Sequence, residues 1–423
     1  VAKGLSATII IAFMAPDARL ANHPMLTIED LDLKGKRVFV RADINTPVHP
    51  LSGELVERTR IEEVCVTVKA LEGSRVVVGS HQGRVGRQDF VSLGRHAEVM
   101  SQILGKKVKF VEDVFGPAAL SAIDSLRSGE VLLLDNLRFT AEENQEYSPA
   151  EAERTFLVSR LSRHIDACVL DAFSTAHRSS PTIVGFASLV PTCAGKVVER
   201  ELKSLGKVLS NERGPYVTVL GGAKVNDRLE AIDALVANRR ADKVLLCGLV
   251  GLVFLKAAGL FRGNLGADGE HAAVQRARQM LEVQPGRYEL PIDVAIKLDG
   301  ERREVGVREI PAGAQVLDVG KLTIDRFSEI IRDAGTVFMS GPPGAFEFEE
   351  FSLGTRSLLE AVSQSRATSI VSGGHLSAAL TKFGISGIDH VSTAGGALVQ
   401  YLAGKRLPLV DALERAQEKW GRR

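Results

Sequence analysis

The sequence is short of the residues that several functional classes require. Its four cysteines, Cys65, Cys168, Cys193 and Cys247, form no CxxC pair and lie in or beside apolar runs. Neither a disulfide framework nor a zinc site is expected, and a reducing cytoplasm is the expected compartment. Aromatic residues make up 5% with a single Trp, too few for the stacking platforms of single-strand binders. No charge of one sign prevails. The 53 Lys and Arg against 52 Asp and Glu leave a formal charge of +1, so nucleic acid is not an expected partner. The longest apolar run, Val244 to Leu255, stops at 12 residues, whereas a bilayer span needs about 20. No membrane helix is expected.

The common nucleotide signatures are missing as well. GxxxxGK[ST], GxGxxG after a strand, and the HRD and DFG pair do not occur. The chain is therefore not read as a P-loop, dinucleotide-binding or protein-kinase sequence.

What the chain does have is glycine, 40 residues against 15 Pro, set among short β-branched runs that alternate with amphipathic helical patterns. RVFVRAD, SRVVVGSH, KVKFVED, VLLLDN, ACVLDAF, YVTVLGG, KVLLCG, TVFMSG and SIVSGG read as strands. Near-continuous apolar strands alternating with helices predict an α/β fold with doubly wound parallel sheets, since both sheet faces must be covered. The strands are too many for one compact sheet, so two such domains are expected. Residues 1–24 read as an N-terminal extension: ATIIIAFMA is apolar, but the flanks of a secretory signal are weak. A phosphate- or carboxylate-binding domain is expected over 25–193 and a second domain over 211–404, with 405–423 packing back on the first. Between them, 194–210 carries Val198, Leu202, Leu205 and Leu209 at helical spacing, a rigid joint across a cleft.

The strand ends divide by chemistry. In the first half they gather basic and polar side chains. VFVRADINTP sets Asp43 and Asn45 two apart, so both can leave an extended segment on one side. Arg60 heads an amphipathic helix, SHQGR supplies His81, Gln82, Gly83 and Arg84, DNLRF supplies Arg138, and DAFSTAHR supplies His177 and Arg178. Singly, each has an ordinary structural use. Converging at one sheet edge, they describe a pocket for a small polyanion, because the arginine fork binds carboxylate or phosphate bidentately.

In the second half the strand ends turn to glycine. Gly221-Gly222 precede Lys224 and Arg228, and Gly341 and Pro342 precede Glu347. Gly373-Gly374 precede His375 and Leu376, and Gly395-Gly396 repeat the pattern. Such turns at helix starts offer backbone amides to phosphate, with Lys224 as a point charge. An anion pocket in one domain and a phosphate cradle in the other imply phosphoryl transfer across a cleft that closes.

RADINTP, SHQGR, DNLRF, DAFSTAHR, GGAKVNDR, GPPGAFEFEEF, SGGH and HVSTAGGA stand in this order from about Met25 onward. In that order they resemble the motifs of phosphoglycerate kinases, and the compact tail and the His after the glycines look like the archaeal branch. The resemblance implies two Rossmann-like domains, one for 3-phosphoglycerate or 1,3-bisphosphoglycerate and one for ADP or ATP with Mg²⁺. By motif, Asp43, Asn45, Arg60, His81, Gln82, Gly83, Arg84, Arg138 and Arg178 would hold the phosphoglycerate. Gly221, Gly222, Lys224, Arg228, Gly341, Pro342, Glu347, Gly373 to Leu376, Gly395 and Gly396 would serve the nucleotide, with Glu347 on the ribose hydroxyls. Arg60 and Lys224 are the expected catalytic pair. A monomer or homodimer is expected.

Three positions depart from the commoner pattern. Arg228 stands where a second Lys is usual, Ser340 where Asn precedes Gly-Pro, and His375 where an Asp meets magnesium. Since Mg²⁺ prefers hard oxygen ligands, no protein ligand to the metal is expected, and nucleotide oxygens would hold it. The alternative is a family member kept for binding or scaffolding, with catalysis weakened. The intact Arg60, Lys224 and N-terminal set favour the enzyme.

Overall fold

The computed structural model describes residues 25–49, 52–210, 213–237, 241–266, 269–402 and 404–421. The extension read at 1–24 lies outside the described residues, as do 211–212, where the second domain is expected to begin, and 422–423.

Six strands build the first sheet: β1 Arg37–Ala42, β2 Arg75–Gly79, β3 Val108–Val111, β4 Val131–Leu134, β5 Ala167–Asp171 and β6 Thr192–Ala194. Their order is β3-β4-β2-β1-β5-β6, and every pairing is parallel. The strands are apolar on both sides because both sides are covered. Phe39 enters one buried cluster, while Val38 and Val40 enter another on the opposite face. From β1 the chain runs first to β2 on one side, and β5 later takes the other. That reversal leaves a crevice at the carboxyl ends, where α/β sheets bind ligands.

The second half contains β7 Tyr216–Leu220, β8 Lys243–Leu246 and β9 Tyr288–Glu289, then β10 Asp293–Leu298, β11 Glu301–Gly306 and β12 Gln315–Val319, and finally β13 Thr336–Ser340, β14 Thr368–Ser372 and β15 His390–Ser392. A parallel sheet runs β15-β14-β13-β7-β8-β9, with β7 at the reversal between β13 and β8. The chain thus has the two doubly wound parallel sheets that the alternating pattern predicts. The apolar run from Val244 divides between the two classes of element. β8 ends at Leu246, and a helix Gly248–Ala257 follows, starting on Gly248 at φ +56°.

An antiparallel sheet, β11-β10-β12, was not among the expected elements. Its hairpin turns on Asp299-Gly300, at φ 53° and 87°, with Leu298 opposite Glu301. Two consecutive positive φ values are what a tight hairpin demands, and Asp-Gly is a strong local signal for it.

The helix Lys196–Ser210 joins the two sheets. Its first turn is fastened to the first sheet through Asp171 at the end of β5. Asp171 Oδ1 accepts from the Val197 and Val198 amides at 2.9 and 3.3 Å. Thr67 Oγ donates to Asp171 Oδ2 at 2.5 Å and accepts from the Lys196 amide at 3.0 Å. The helix buries Val198, Leu202 and Leu205. Farther along it, Glu201 meets β15: Ser392 Oγ donates to Oε1 at 3.1 Å, and His390 Nε2 lies 3.1 Å from Oε2. The last helix, Pro408–Trp420, packs against β6 and the turn Pro181–Val184, and its Trp420 Nε1 donates to Ala187 O at 2.9 Å. Among the described residues no helix is long and apolar enough to cross a membrane.

Candidate active site

The crevice of the first sheet collects the side chains that follow β1, β2, β4 and β5. Asp43 is its anchor. Arg60 Nη1, from the helix Thr59–Ala70, donates to Asp43 Oδ2 at 2.7 Å and to Asn45 O at 3.2 Å. Ser174 Oγ donates to the same carboxylate oxygen, and the Asn45 amide donates to Oδ1 at 3.0 Å. Burial alone would raise the Asp43 pKa, but the Arg60 guanidinium and these donors hold it below the usual carboxylate range. Asp43 is therefore an anion in a cationic surrounding.

Asn45 Oδ1 accepts from the Gly83 amide at 3.0 Å, so the loops after β1 and β2 are tied together. Gly83 is at φ +64°, and a Cβ there would come 2.4 Å from the Asp89 backbone; only glycine fits. Its carbonyl accepts from Arg138 Nη1. Burial, then the neighbouring Arg178 and Arg41, bring Arg138 down to about 10. Arg178 is lowered too, first by burial and then by Arg84. Guanidiniums that depress one another are a concentrated positive charge. His81 is buried among them, and burial with the surrounding arginines keeps its imidazole neutral despite Asp43.

Gln82 is brought to the same loop, but its side chain is spent on the scaffold. Its amide oxygen accepts from the Thr46 amide at 3.0 Å, and Nε2 donates to Thr46 O and Asp89 O at 2.8 and 3.2 Å. Arg84 is exposed at the rim. One participant escaped sequence reasoning: Arg41, 2% exposed, pairs with buried Glu143 at 3.2 Å and donates to Thr182 Oγ at 2.7 Å. Its spacing of two from Asp43 in RADINTP was the available signal.

The second half-site is built from glycine backbone. The Gly222 amide donates to Pro342 O at 2.9 Å and the Gly221 amide to Ser340 O at 3.0 Å. A Cβ on Gly221 would meet Pro342 O at 2.4 Å, and one on Gly341 would meet Gly221 O at 2.3 Å. Gly248 joins the layer, with its amide on Pro343 O at 3.1 Å and room for no Cβ, since Gly222 N would lie 2.6 Å away. The turns after β7, β8 and β13 thus interlock, and side chains at any of these positions would push them apart. Gly373, at φ +107°, and Gly395 face each other at the ends of β14 and β15: a Cβ on Gly373 would lie 4.0 Å from the Gly395 Cα, and one on Gly395 3.7 Å from the Gly373 Cα.

Around this layer Lys224, Glu347 and His375 are exposed, while Arg228 is half-buried with its Nε lacking a hydrogen-bond partner. Burial lowers Arg228 despite the nearby Asp227. Leu376 is 0% exposed and packs in the core, so only its backbone is free to meet a ligand. Among the described residues no group of His, Cys, Asp and Glu is placed to hold a metal ion, and the turn at Gly373 carries His375 rather than a carboxylate. The described residues thus offer no carboxylate at this turn to a resident Mg²⁺.

The two half-sites meet at His177. Its pKa falls to about 4, first through burial and then through Arg178, opposed by Asp227 and helped by Lys224 and Arg84. A Cβ on Gly396 would come 3.8 Å from its Cε1. The imidazole is neutral, its buried Nδ1 has no hydrogen-bond partner, and groups of both halves surround it.

This arrangement has close counterparts. A family model described as phosphoglycerate kinase matches residues 28–405. The phosphoglycerate kinase of Methanobacterium bryantii is 41% identical over 404 residues, covering 94% of this chain and 98% of that one. That of Methanothermobacter thermautotrophicus is 42% identical, covering 92% and 97%. The crystal structure of phosphoglycerate kinase from Pyrococcus horikoshii superposes with a TM-score of 0.87 at 38% identity, over 94% of this chain and all (100%) of that one. The Coxiella burnetii structure reaches 0.70 at 32% identity, over 92% and 99%. A family model matching most of the chain, nearly whole-length similarity to these relatives and a superposable fold place this chain in the phosphoglycerate kinase family.

Proposed function

We propose that the chain transfers a phosphoryl group reversibly between 1,3-bisphosphoglycerate with ADP and 3-phosphoglycerate with MgATP. The observation that carries this reading is the meeting at His177 of an arginine-rich pocket and a glycine-built cradle. The first suits a phosphorylated carboxylate, the second a nucleotide's phosphates.

With ATP as donor, the nucleophile is the substrate's own carboxylate, ionised at neutral pH, so no side chain need remove a proton. Catalysis then rests on positioning and on neutralising charge spread over the transferring group. Arg60 approaches from the first half and Lys224 from the second. Asp43, Asn45, His81, Arg138 and Arg178, with the Gly83 turn and Arg84 at the rim, hold the phosphoglycerate. Magnesium brought with the nucleotide would supply charge neutralisation on its phosphates. His375, exposed beside Gly373 and Gly374, offers a hydrogen bond to phosphate instead of a metal ligand. Closure about the helix Lys196–Ser210 brings the halves together and excludes water. The described residues keep all their thiols free and buried, which supports work in the cytoplasm, as a monomer or homodimer.

The test is a steady-state assay with MgATP and 3-phosphoglycerate. ADP release that depends on 3-phosphoglycerate is expected. Tight binding of both substrates without turnover would support the scaffold alternative instead.

A further inference from the structure

Glu347 stands exposed on the loop that leaves the glycine layer at Gly344 and re-enters a helix at Gly354. Exposed loop residues are ordinarily loosely placed, but this loop is held from beneath and from the side. Beneath it lies Asp318, with a wholly buried side chain. Asp318 Oδ2 accepts from the Gly354 amide at 2.9 Å, and Gly344 passes so close that a Cβ would lie 2.2 Å from Oδ1. Both ends of the loop are thus set on one carboxylate.

Arg302 reaches that carboxylate from β11. Its Nη1 donates to Asp318 Oδ2 at 2.9 Å and to the Glu350 carbonyl at 3.1 Å. Its Nη2 is held by Glu304 at 2.8 Å. The guanidinium carbon sits 5.9 Å from the Phe351 ring centre. From the other side, Lys382 Nζ donates to the Phe346 carbonyl at 2.9 Å and lies 3.4 Å from Glu349. Lys382 belongs to the last turn of the helix Gly374–Phe383, whose N-cap is Gly373. One rigid helix therefore carries the glycine turn at its first end and grips the residue beside Glu347 at its last.

We propose that Arg302 and Lys382 are positioning residues for the nucleotide, fixing Glu347 against the Gly373 turn so that ribose and phosphates are registered together. The inference rests on the reading of Glu347 as the ribose residue. Both side chains are spent on protein groups, Arg302 on Asp318, Glu304 and the Glu350 carbonyl and Lys382 on the Phe346 carbonyl and Glu349. A pair of a half-buried Arg and a buried Asp is a weak device for stability, because apolar groups of similar size stabilise as well. Its directional hydrogen bonds instead fix geometry. A loop ordered before binding spares the nucleotide the entropy of ordering it.

The experiment compares Lys382→Met, Arg302→Lys and Glu347→Ala by the ratio of kcat/KM for ATP to that for 2′,3′-dideoxy-ATP. Lys382→Met keeps an apolar stem against the Phe346 and Phe383 rings and removes the donor together with its charge. Arg302→Lys keeps the charge facing Asp318 but cannot bond Asp318 and Glu350 at once. In both, KM for ATP is expected to rise about tenfold and the ratio to fall with it. KM for 3-phosphoglycerate should stay unchanged, and Lys382→Arg should restore the ratio. A general loss of structure would move both substrates and leave the ratio alone. A wild-type ratio in the Lys382 and Arg302 variants, while Glu347→Ala lowers it, overturns the positioning role. A wild-type ratio in Glu347→Ala overturns the ribose assignment itself, and the inference with it.

Discussion

His390 Nε2 and Glu201 Oε2 lie 3.1 Å apart across 189 positions of sequence, and both side chains are buried. One belongs to the second sheet and the other to the helix Lys196–Ser210 that begins on the first. The contact is therefore a joint between halves. Beside it, Glu63 of the Arg60 helix is 2.5 Å from Arg200 and accepts from Thr393 Oγ at 3.4 Å. The helix that carries Arg60 thus shares a polar seam with the end of β15.

Removing the carboxylate by Glu201→Ala leaves His390 and Ser392 without their acceptor in a buried place. Stability is expected to fall by about 1–3 kcal/mol. Because the loss sits between halves, calorimetry should show the thermal transition splitting or broadening. A single transition at the wild-type Tm would show that the joint couples nothing.

Arg60 and Lys224 are expected to act on the transferring group more than on bound substrate. Changing either to Ala should lower kcat on the order of 10²–10³-fold while KM moves far less. For Arg60 a second effect is built in: Asp43 loses its only ion-pair partner among the described residues, so its pKa should climb. Near wild-type turnover in either variant would remove that residue from the mechanism.

Asp171 carries a pH signature. Burial, opposed by Thr67 and the Val198 and Val197 amides, raises its carboxyl to about 7 from an ordinary value of 3.8. The folded chain then keeps a proton that the unfolded chain has released, so stability from this group is full below about pH 4 and drains away as pH rises through 7. Asp171→Asn mimics the protonated form and has no such loss. The stability of the Asn variant relative to wild type should therefore improve from pH 4 to pH 8 in urea titrations. A difference independent of pH would mean that Asp171 is ionised throughout.

Much of this molecule is legible in local sequence. RVFVRAD and YVTVLGG read as strands because parallel strands buried on both faces need unbroken β-branched runs, and they became β1 and β7. β6 and β9 span 3 and 2 residues, too short to hold a periodic pattern, and they escaped notice, whereas β15, also 3 residues long, was betrayed by the Gly395-Gly396 turn that follows it. The hairpin at Asp299-Gly300 did carry its signal, but charged ERREVG after the turn obscured it. Gln82 shows the limit for single residues. Its place in SHQGR is beside the pocket, yet the amide that makes Gln a good ligand residue makes it equally good at bracing Thr46 and Asp89.

By itself the sequence determined the alternation of strands and helices, the position of each strand-end motif, and the division between an arginine half and a glycine half. Those depend on neighbouring residues and on spacing of a few positions. What tertiary structure alone decided was which of those groups face one another: Arg60 on Asp43, Gly221 against Pro342, His177 beneath Gly396, Glu201 on His390. Each of these pairs joins elements that are separate in sequence. Their meeting is set by the order in which parallel strands add to a sheet and by the helix that orients one sheet against the other, and neither is written in any local pattern.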